Sequence, residues 1–238
     1  MENKKSHRWL WLVISIIGIL LTVCFVNAPK PSPSWQGRTA ESWMAEIFAS
    51  GATAQSQRAD LDAFNEMGTN GINFLVSTLG QRENLWQKNY QRLHHRLPVT
   101  LQNRLPRPFY ADSQISCAAF VLGNVRDANP ARTFPRLVSL LTAPNPQTRR
   151  CAAQIISHYV MNYQRLDYTS YRPDLFRALG SNDDMTLIYL ITVVRNAKLR
   201  GPELTLALQP ALSNADSAIR DAARATLDSL NATNKITP

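Results

Sequence analysis

Cations and aromatic rings alternate between Gln81 and Tyr110, and no other stretch of the chain concentrates so much potential chemistry. Arg82, Lys88, Arg92, Arg96, Arg104 and Arg107 stand against the single acid Glu83, which places +5 of the chain's net +9 in about thirty residues. Trp86, Tyr90 and Tyr110 are set among them. Guanidinium and ammonium groups interleaved with aromatic faces suit an acidic protein segment, an anionic headgroup or a nucleic acid. Arg82, Trp86, Lys88, Tyr90, Arg92, Arg96, Arg104 and Arg107 are therefore the expected partner-binding residues. The competing reading is a short amphipathic helix, with Leu85, Leu93 and Leu97 packed on the body of the protein and the cations merely solvated.

Other reactive side chains do not assemble into a site. His94 and His95 are adjacent, and consecutive helical residues point about 100° apart, so they cannot share one ion as an i, i+4 pair would. His158 beside Tyr159 reads as packing. The three cysteines form no disulfide framework: Cys24 lies in an apolar N-terminal run, and Cys117 and Cys151 are matched positions of a repeat. Stacked helix axes lie about 8–10 Å apart, beyond the reach of about 7 Å between Cα atoms that a disulfide needs. Both are expected to be small buried residues. No serine–histidine–acid order, cysteine–histidine pair, phosphate loop or glycine fingerprint appears. The expectation is a protein that is not an enzyme and takes no cofactor and no metal.

The elements that hold the basic stretch declare themselves by repetition. Asp112-Ser-Gln-Ile-Ser-Cys117-Ala-Ala-Phe-Val-Leu-Gly123 is echoed by Pro146-Gln-Thr-Arg-Arg-Cys151-Ala-Ala-Gln-Ile-Ile-Ser157, an offset of 34 residues. Between the copies lie a second apolar segment, Phe134 to Leu141, and the breaker run Ala143-Pro-Asn-Pro146. Each unit reads as helix A, turn, helix B, turn. Such units bury their apolar faces only by stacking, which is the logic of an α-solenoid.

The same reading extends along residues 35–230. Trp35-Gln-Gly-Arg-Thr39 leads into an end-capping helix with Thr39 as N-cap, which buries Trp43, Met44, Ile47 and Phe48. Arg58 to Gly68 and Ile72 to Leu79 form the first pair, and aligning Gly68 with Gly123 sets Ala63 on Ala118. That offset is 55 rather than 34, so an insertion of about twenty residues follows Leu79, and the basic stretch at about 80–110 is that insertion. A third pair runs from Thr148 to about Met161 and from Arg172 to Leu179. A fourth uses Leu187, Ile188, Leu190, Ile191 and Val194, then Leu204, Leu206, Leu208 and Leu212. A last A helix from Asp216 to Leu227 repeats the small-residue pair at Ala222-Ala223, 71 residues after Cys151-Ala152. Residues 231–238 are expected to be a flexible tail.

The N-terminal segment predicts a location. Residues 1–8 are a basic lead, and Trp9 to Val26 is a run of 18 residues without a charge, near the minimum that spans a bilayer. A transmembrane signal anchor over residues 9–26 is the leading reading, with the basic lead cytoplasmic and the remainder outside the cytoplasm. Val26-Asn-Ala28 also fits a cleavage site, though Pro29 follows it, and Leu21-Thr-Val-Cys24 approximates a lipoprotein box with Val23 out of pattern. Residues 27–34 are a proline-rich linker that favours an extended conformation.

The Arg preceding paired small residues in helix A, as in Arg149-Arg150-Cys-Ala-Ala and Ile219-Arg220-Asp-Ala-Ala, and the Leu140-Leu141 ending of helix B resemble the HEAT-repeat family. The lead from Trp35 to Trp43, with Met67-Gly-Thr-Asn70 and the long insertion, is similar to bacterial membrane-tethered HEAT-repeat proteins. The resemblance implies an all-α fold, an α-solenoid of HEAT-like helical pairs behind a single N-terminal transmembrane helix, and a protein-interaction scaffold with no catalytic residues. The expected function is thus a membrane-tethered scaffold, periplasmic if bacterial, that binds a protein partner of acidic character. Binding of nucleic acid or another polyanion through residues 80–110 is the alternative, although an anchor would remove the domain from nucleic acid.

Overall fold

The computed structural model describes residues 32–47, 53–105, 108, 110–180 and 183–232. The chain divides into two compact units, Met1–Ser32 and Pro33–Pro238, and the described residues apart from Ser32 belong to the second. The expected lead and anchor, most of the linker, Phe48, Arg107 and most of the tail lie outside the described residues. Among the described residues no helix is long and apolar enough to cross a membrane.

Among its described residues the second unit is all-α apart from one two-residue ladder. Strands β1 (Ser34–Trp35) and β2 (Arg38–Thr39) pair antiparallel, Ser34 opposite Thr39 and Trp35 opposite Arg38. The turn takes Gln36 to φ 49° and Gly37 to φ 75°, the left-handed pair that matches strand twist in a two-residue hairpin. A strand this short has no periodicity, and the sequence reading places none there. Helix α1 (Ala40–Ile47) follows, with Thr39 Oγ1 accepting the Ser42 N–H at 3.4 Å. It buries Trp43, Met44 and Ile47 as expected. The hairpin is tied to α1 by the Trp43 indole N–H, which donates to the Trp35 carbonyl, and by Arg38, whose guanidinium lies 3.7 Å from the Trp43 ring centroid.

Helix α2 spans Ala54–Leu79 but contains two helices, because Gly68 sits at φ 54°, ψ −132°. That backbone is open to glycine and closed to residues with a Cβ. The break falls where the sequence separates helix A from helix B. The first half begins four residues earlier than the apolar pattern predicts, because Thr53 and Ser56 form a reciprocal capping box. Two insert helices follow, α3 (Leu85–Arg96) and α4 (Val99–Gln102). Then come α5 (Ala111–Asn124), α6 (Pro130–Leu140), α7 (Pro146–Asn162), a 3-10 turn (Thr169–Tyr171), α8 (Arg172–Ala178), α9 (Asp184–Asn196), α10 (Leu204–Leu212) and α11 (Ser217–Ala232).

The A-type helices pack in chain order: α2 on α5, α5 on α7, α7 on α9 and α9 on α11. Ala118, Ala119, Ala152 and Ala153 are buried between them, where small side chains let the helices approach. One continuous core runs from Ala40 to Leu230. Leu206, assigned to the core by its spacing, is instead exposed.

Polar contacts recur with the repeat. Asn145, the cap of α7, donates to Asp112 in the first turn of α5 at 3.0 Å, and Asn214, before α11, donates to Asp184 in the first turn of α9 at 2.8 Å. Arg149 and Arg220, 71 residues apart in the sequence, each turn back to the carbonyls six and five positions upstream. Each pair of contacts ties the turn before an A helix to the helix or its predecessor. The glycines aligned by the repeat have different duties. Gly68 supplies a left-handed backbone, whereas Gly123 is helical and faces α7, where an added Cβ would lie 3.0 Å from His158 Nδ1.

Candidate interaction surface

Three sets of contacts shape the insert, and those through Glu83 and Tyr110 reach the start of α5. Asn84 caps α3 through a reciprocal box with Gln87, the two hydrogen bonds measuring 2.8 and 2.9 Å. Glu83 accepts from Gln91 Nε2 at 2.8 Å and from the Ala111 N–H at 3.1 Å, so the lone acid of the stretch fastens α3 to the start of α5. At the far end the Tyr110 hydroxyl and His95 Nε2 lie 3.0 Å apart. Among the described residues α3 has no broad helical packing partner.

The side of α3 that turns inward is its polar side. Gln87 and Gln91 are partly buried and His94 is buried, whereas Leu85, Trp86 and Leu93 are 81%, 78% and 56% exposed. This overturns the reading in which Leu85 and Leu93 pack on the body; of the three leucines only Leu97 is partly covered. The reason is that the helix is tied to the start of α5 by Gln91 through Glu83 and by His95 through Tyr110, and these polar contacts set its rotation. Leu85 then lies on the opposite side and Leu93 on a flank, about 120° round the helix from Gln87. Val99, Leu101 and Leu105 extend the exposed apolar surface beyond α3.

The expected partner-binding residues are placed as follows. Arg82, Trp86, Lys88, Arg92, Arg96 and Arg104 are exposed, and Tyr90 is partly buried with its ring 5.9 Å from that of His94. Arg107 lies outside the described residues. None of the five described cations takes part in an ion pair among the described residues. Lys88, Arg92 and Arg96, spaced by four, form one row along the helix. His94 and His95 diverge, one inward with its Nε2 unpartnered among the described residues and one outward to Tyr110. Among the described residues no three His, Cys, Asp or Glu side chains gather as a metal site would require.

The cysteines are poor nucleophiles. Cys151 is buried and Cys117 partly buried, and both are free thiols. Burial pushes the Cys151 thiol up to about 11 despite the opposing charge of Arg150, and burial raises Cys117 as well.

Two features escaped the sequence reading. One is a cleft of about 600 Å³ between the Val160–Thr169 segment and the turn at Arg195–Lys198. Its one acid, Asp167, is engaged by the N–H and hydroxyl of Thr169, which hold its carboxyl below the usual range. The other is a buried aromatic cluster in which Phe134 meets Tyr168 and Tyr171 at ring separations of 5.0 and 5.1 Å. Within it, Tyr159 Oη donates to Asp127 Oδ2 at 2.8 Å, and the Asp127 N–H donates to Tyr163 Oη at 2.8 Å. The tyrosines were visible in the sequence, but nothing in their spacing pairs them with Asp127. Burial followed by the Asp127 charge raises the Tyr159 phenol far above its ordinary value, so it stays a donor. Phe134, Tyr159, Tyr168 and Asp127 are buried while Tyr163 and Tyr171 are partly exposed at its edge, and the cluster reads as structure.

No protein-family model matches the chain, and comparison with curated proteins finds no match.

Proposed function

We propose that the chain is a membrane-tethered, non-catalytic scaffold of the helical-repeat type, and that it binds a protein partner through the insert at about residues 80–110. The observation that carries this is the rotation of α3. A helix that turns Gln87, Gln91 and His94 inward and leaves Leu85 among Lys88, Arg92 and Arg96, with Trp86 and Leu93 in solvent on another flank, exposes the residue types of which interfaces are built. Exposed apolar groups grouped in this way mark interaction sites. The α-solenoid reading is supported by the order of helix packing and by the recurring Asn–Asp and Arg–carbonyl contacts, both of which follow from stacked equivalent units. The tether reading is supported by the 18 uncharged residues from Trp9 to Val26 behind a basic lead, and the location proposed with it is outside the cytoplasm, periplasmic if the source is bacterial.

The test is a crosslinking pull-down from native membranes with the full chain and with a version carrying Arg92→Gln, Arg96→Gln, Arg104→Gln and Arg107→Gln. A partner captured by the first and lost by the second supports recognition by the insert; identical capture removes it. The unpaired cation row favours one second reading, a polyanion held by charge alone. A steep loss of binding to oligonucleotides between low and physiological salt, with Trp86→Ala without effect, would select that reading.

A further inference from the structure

We propose that the cleft between the C-terminal ends of α7 and α9 is a second binding site, and that it takes an extended acidic segment of a partner protein; the site goes beyond the insert and stands without it. The last turns of the two packed helices supply Val160 and Met161, then Arg195 and Asn196, and the turn after α9 adds Lys198. The telling residue is Lys198. Helix α9 ends in a Schellman motif, in which the Leu199 N–H donates to the Val194 carbonyl at 3.0 Å and the Lys198 N–H to the Arg195 carbonyl at 3.2 Å. Such an ending puts one residue in the left-handed region, ordinarily glycine or asparagine, and here Lys198 takes it at φ 52°. A Cβ is penalised in that conformation, and nothing in the cap needs one. The helix dipole does not ask for the ammonium either: Arg195 already sets a cation in the last turn, and the Val193, Val194 and Arg195 carbonyls all have donors. Non-glycine residues held in this region cluster at functional sites. What lysine adds over glycine is a charge on the cleft.

Charge and shape name the occupant. Among the described residues neither Arg195 nor Lys198 takes part in an ion pair, while Asp167, the one acid lining the cleft, is engaged by Thr169. The buried Val160 and Tyr168 give the cleft an apolar floor beside these cations. An Asp or Glu next to a large apolar side chain satisfies both. The exposed amides of Gln164 and Asn196 suit the peptide groups of an extended chain. A second cleft of about 420 Å³ shares Met161, Gln164 and Leu166 with the first and reaches Pro130, which leaves room for further residues of the same segment. A metal ion would meet two cations and an engaged carboxylate. A nucleic acid finds no exposed ring to stack on, since Tyr168 is buried.

The experiment selects a phage-displayed library of random short peptides on the purified full chain in detergent. The expected result is enrichment of sequences with Asp or Glu beside a large apolar residue. The variant with Arg195→Gln and Lys198→Gly together should bind them roughly tenfold more weakly, at a few-fold per exposed charge contact. Lys198→Gly alone should weaken them a few-fold while Tm is unchanged or higher, because glycine accepts the left-handed backbone freely. Binding lost without loss of stability is not a folding failure. Selected peptides without an acid, peptides bound equally by the double variant, or no enrichment at all overturn the proposal. So does a lower Tm for Lys198→Gly, which would make the lysine part of the cap. The insert is read separately. The chain with Arg92→Gln, Arg96→Gln, Arg104→Gln and Arg107→Gln should bind the selected peptides as the unaltered chain does; peptides that it loses have bound the insert and count against the cleft. A failed selection leaves the pull-down through the insert untouched, and an unchanged pull-down leaves the cleft untouched.

Discussion

Replacing Tyr159 with Phe removes one oxygen and isolates a single buried interaction. Tyr159 is 2% exposed and its hydroxyl donates to Asp127, itself 5% exposed, at 2.8 Å. Asp127 Oδ1 keeps the Asn129 N–H at 2.8 Å, so Tyr159→Phe leaves Oδ2 short of its donor without disturbing the other oxygen. A hydrogen bond to a charged group contributes about 1.5–3 kcal/mol, and a buried acceptor left without a donor loses most of that. The expected cost is about 2 kcal/mol, or a fall in Tm of about 4–8 °C for a domain of this size. Urea unfolding of residues 33–238 followed by circular dichroism measures it. Tyr163→Phe is the internal comparison, because Tyr163 Oη only accepts the Asp127 N–H and is partly exposed, so water replaces it; its cost should be about 1 kcal/mol. In the cycle with Asp127→Ala, Tyr159→Phe should add little further loss, since its partner is already gone. A cost under about 0.5 kcal/mol for Tyr159→Phe, or full additivity with Asp127→Ala, would refute the account.

Three further outcomes are expected. Gly68→Ala should destabilise the fold by about 1–3 kcal/mol in the same assay, because φ 54° with ψ −132° excludes a Cβ although nothing lies within 4 Å of one; a neutral result would mean that the turn relaxes. For Asp183, burial pushes its carboxyl up, but the Arg150 fork, the Thr186 hydroxyl and the Met185 N–H together hold it below its ordinary value of 3.8. Its contribution to stability is thus present above that value and is lost as pH falls through it towards the lower folded one. Arg150→Gln should flatten this acid limb of the stability profile, and an unchanged limb counts against the pairing. Finally, iodoacetamide at pH 8 should alkylate Cys117 faster than Cys151 in the folded protein, because Cys151 is buried and its thiol is pushed up to about 11; equal rates would show that α7 opens locally.

Helices were legible wherever apolar residues recur at helical spacing over a dozen positions. The segments around Cys117, Leu137, Cys151, Leu190 and Ile219 all became helices within a few residues of their expected bounds. Caps refined the ends: Thr53 with Ser56 extended the first helix beyond its apolar stripe, a local signal that was present but not read. The Gly68–Gly123 alignment was right for the buried alanines at 63 and 118 and wrong for the glycines, since one meets a torsional demand and the other a neighbour's histidine. For the candidate surface, the residues were legible from composition, but their orientation was not.

By itself, the sequence determined the all-α class, the 34-residue period and the concentration of charge between Arg82 and Arg107, because backbone sterics, hydrophobic periodicity and net charge are local properties. Only the tertiary structure decided which side of α3 meets the protein. On periodicity alone Leu85 and Leu93 belong inside. The helix instead docks through Glu83, Gln91 and the Tyr110–His95 contact, and its remaining apolar side chains are left outside. Tertiary structure also joined Tyr159 to Asp127 across 32 residues, since a buried carboxylate settles on whichever donor the packed helices bring within reach.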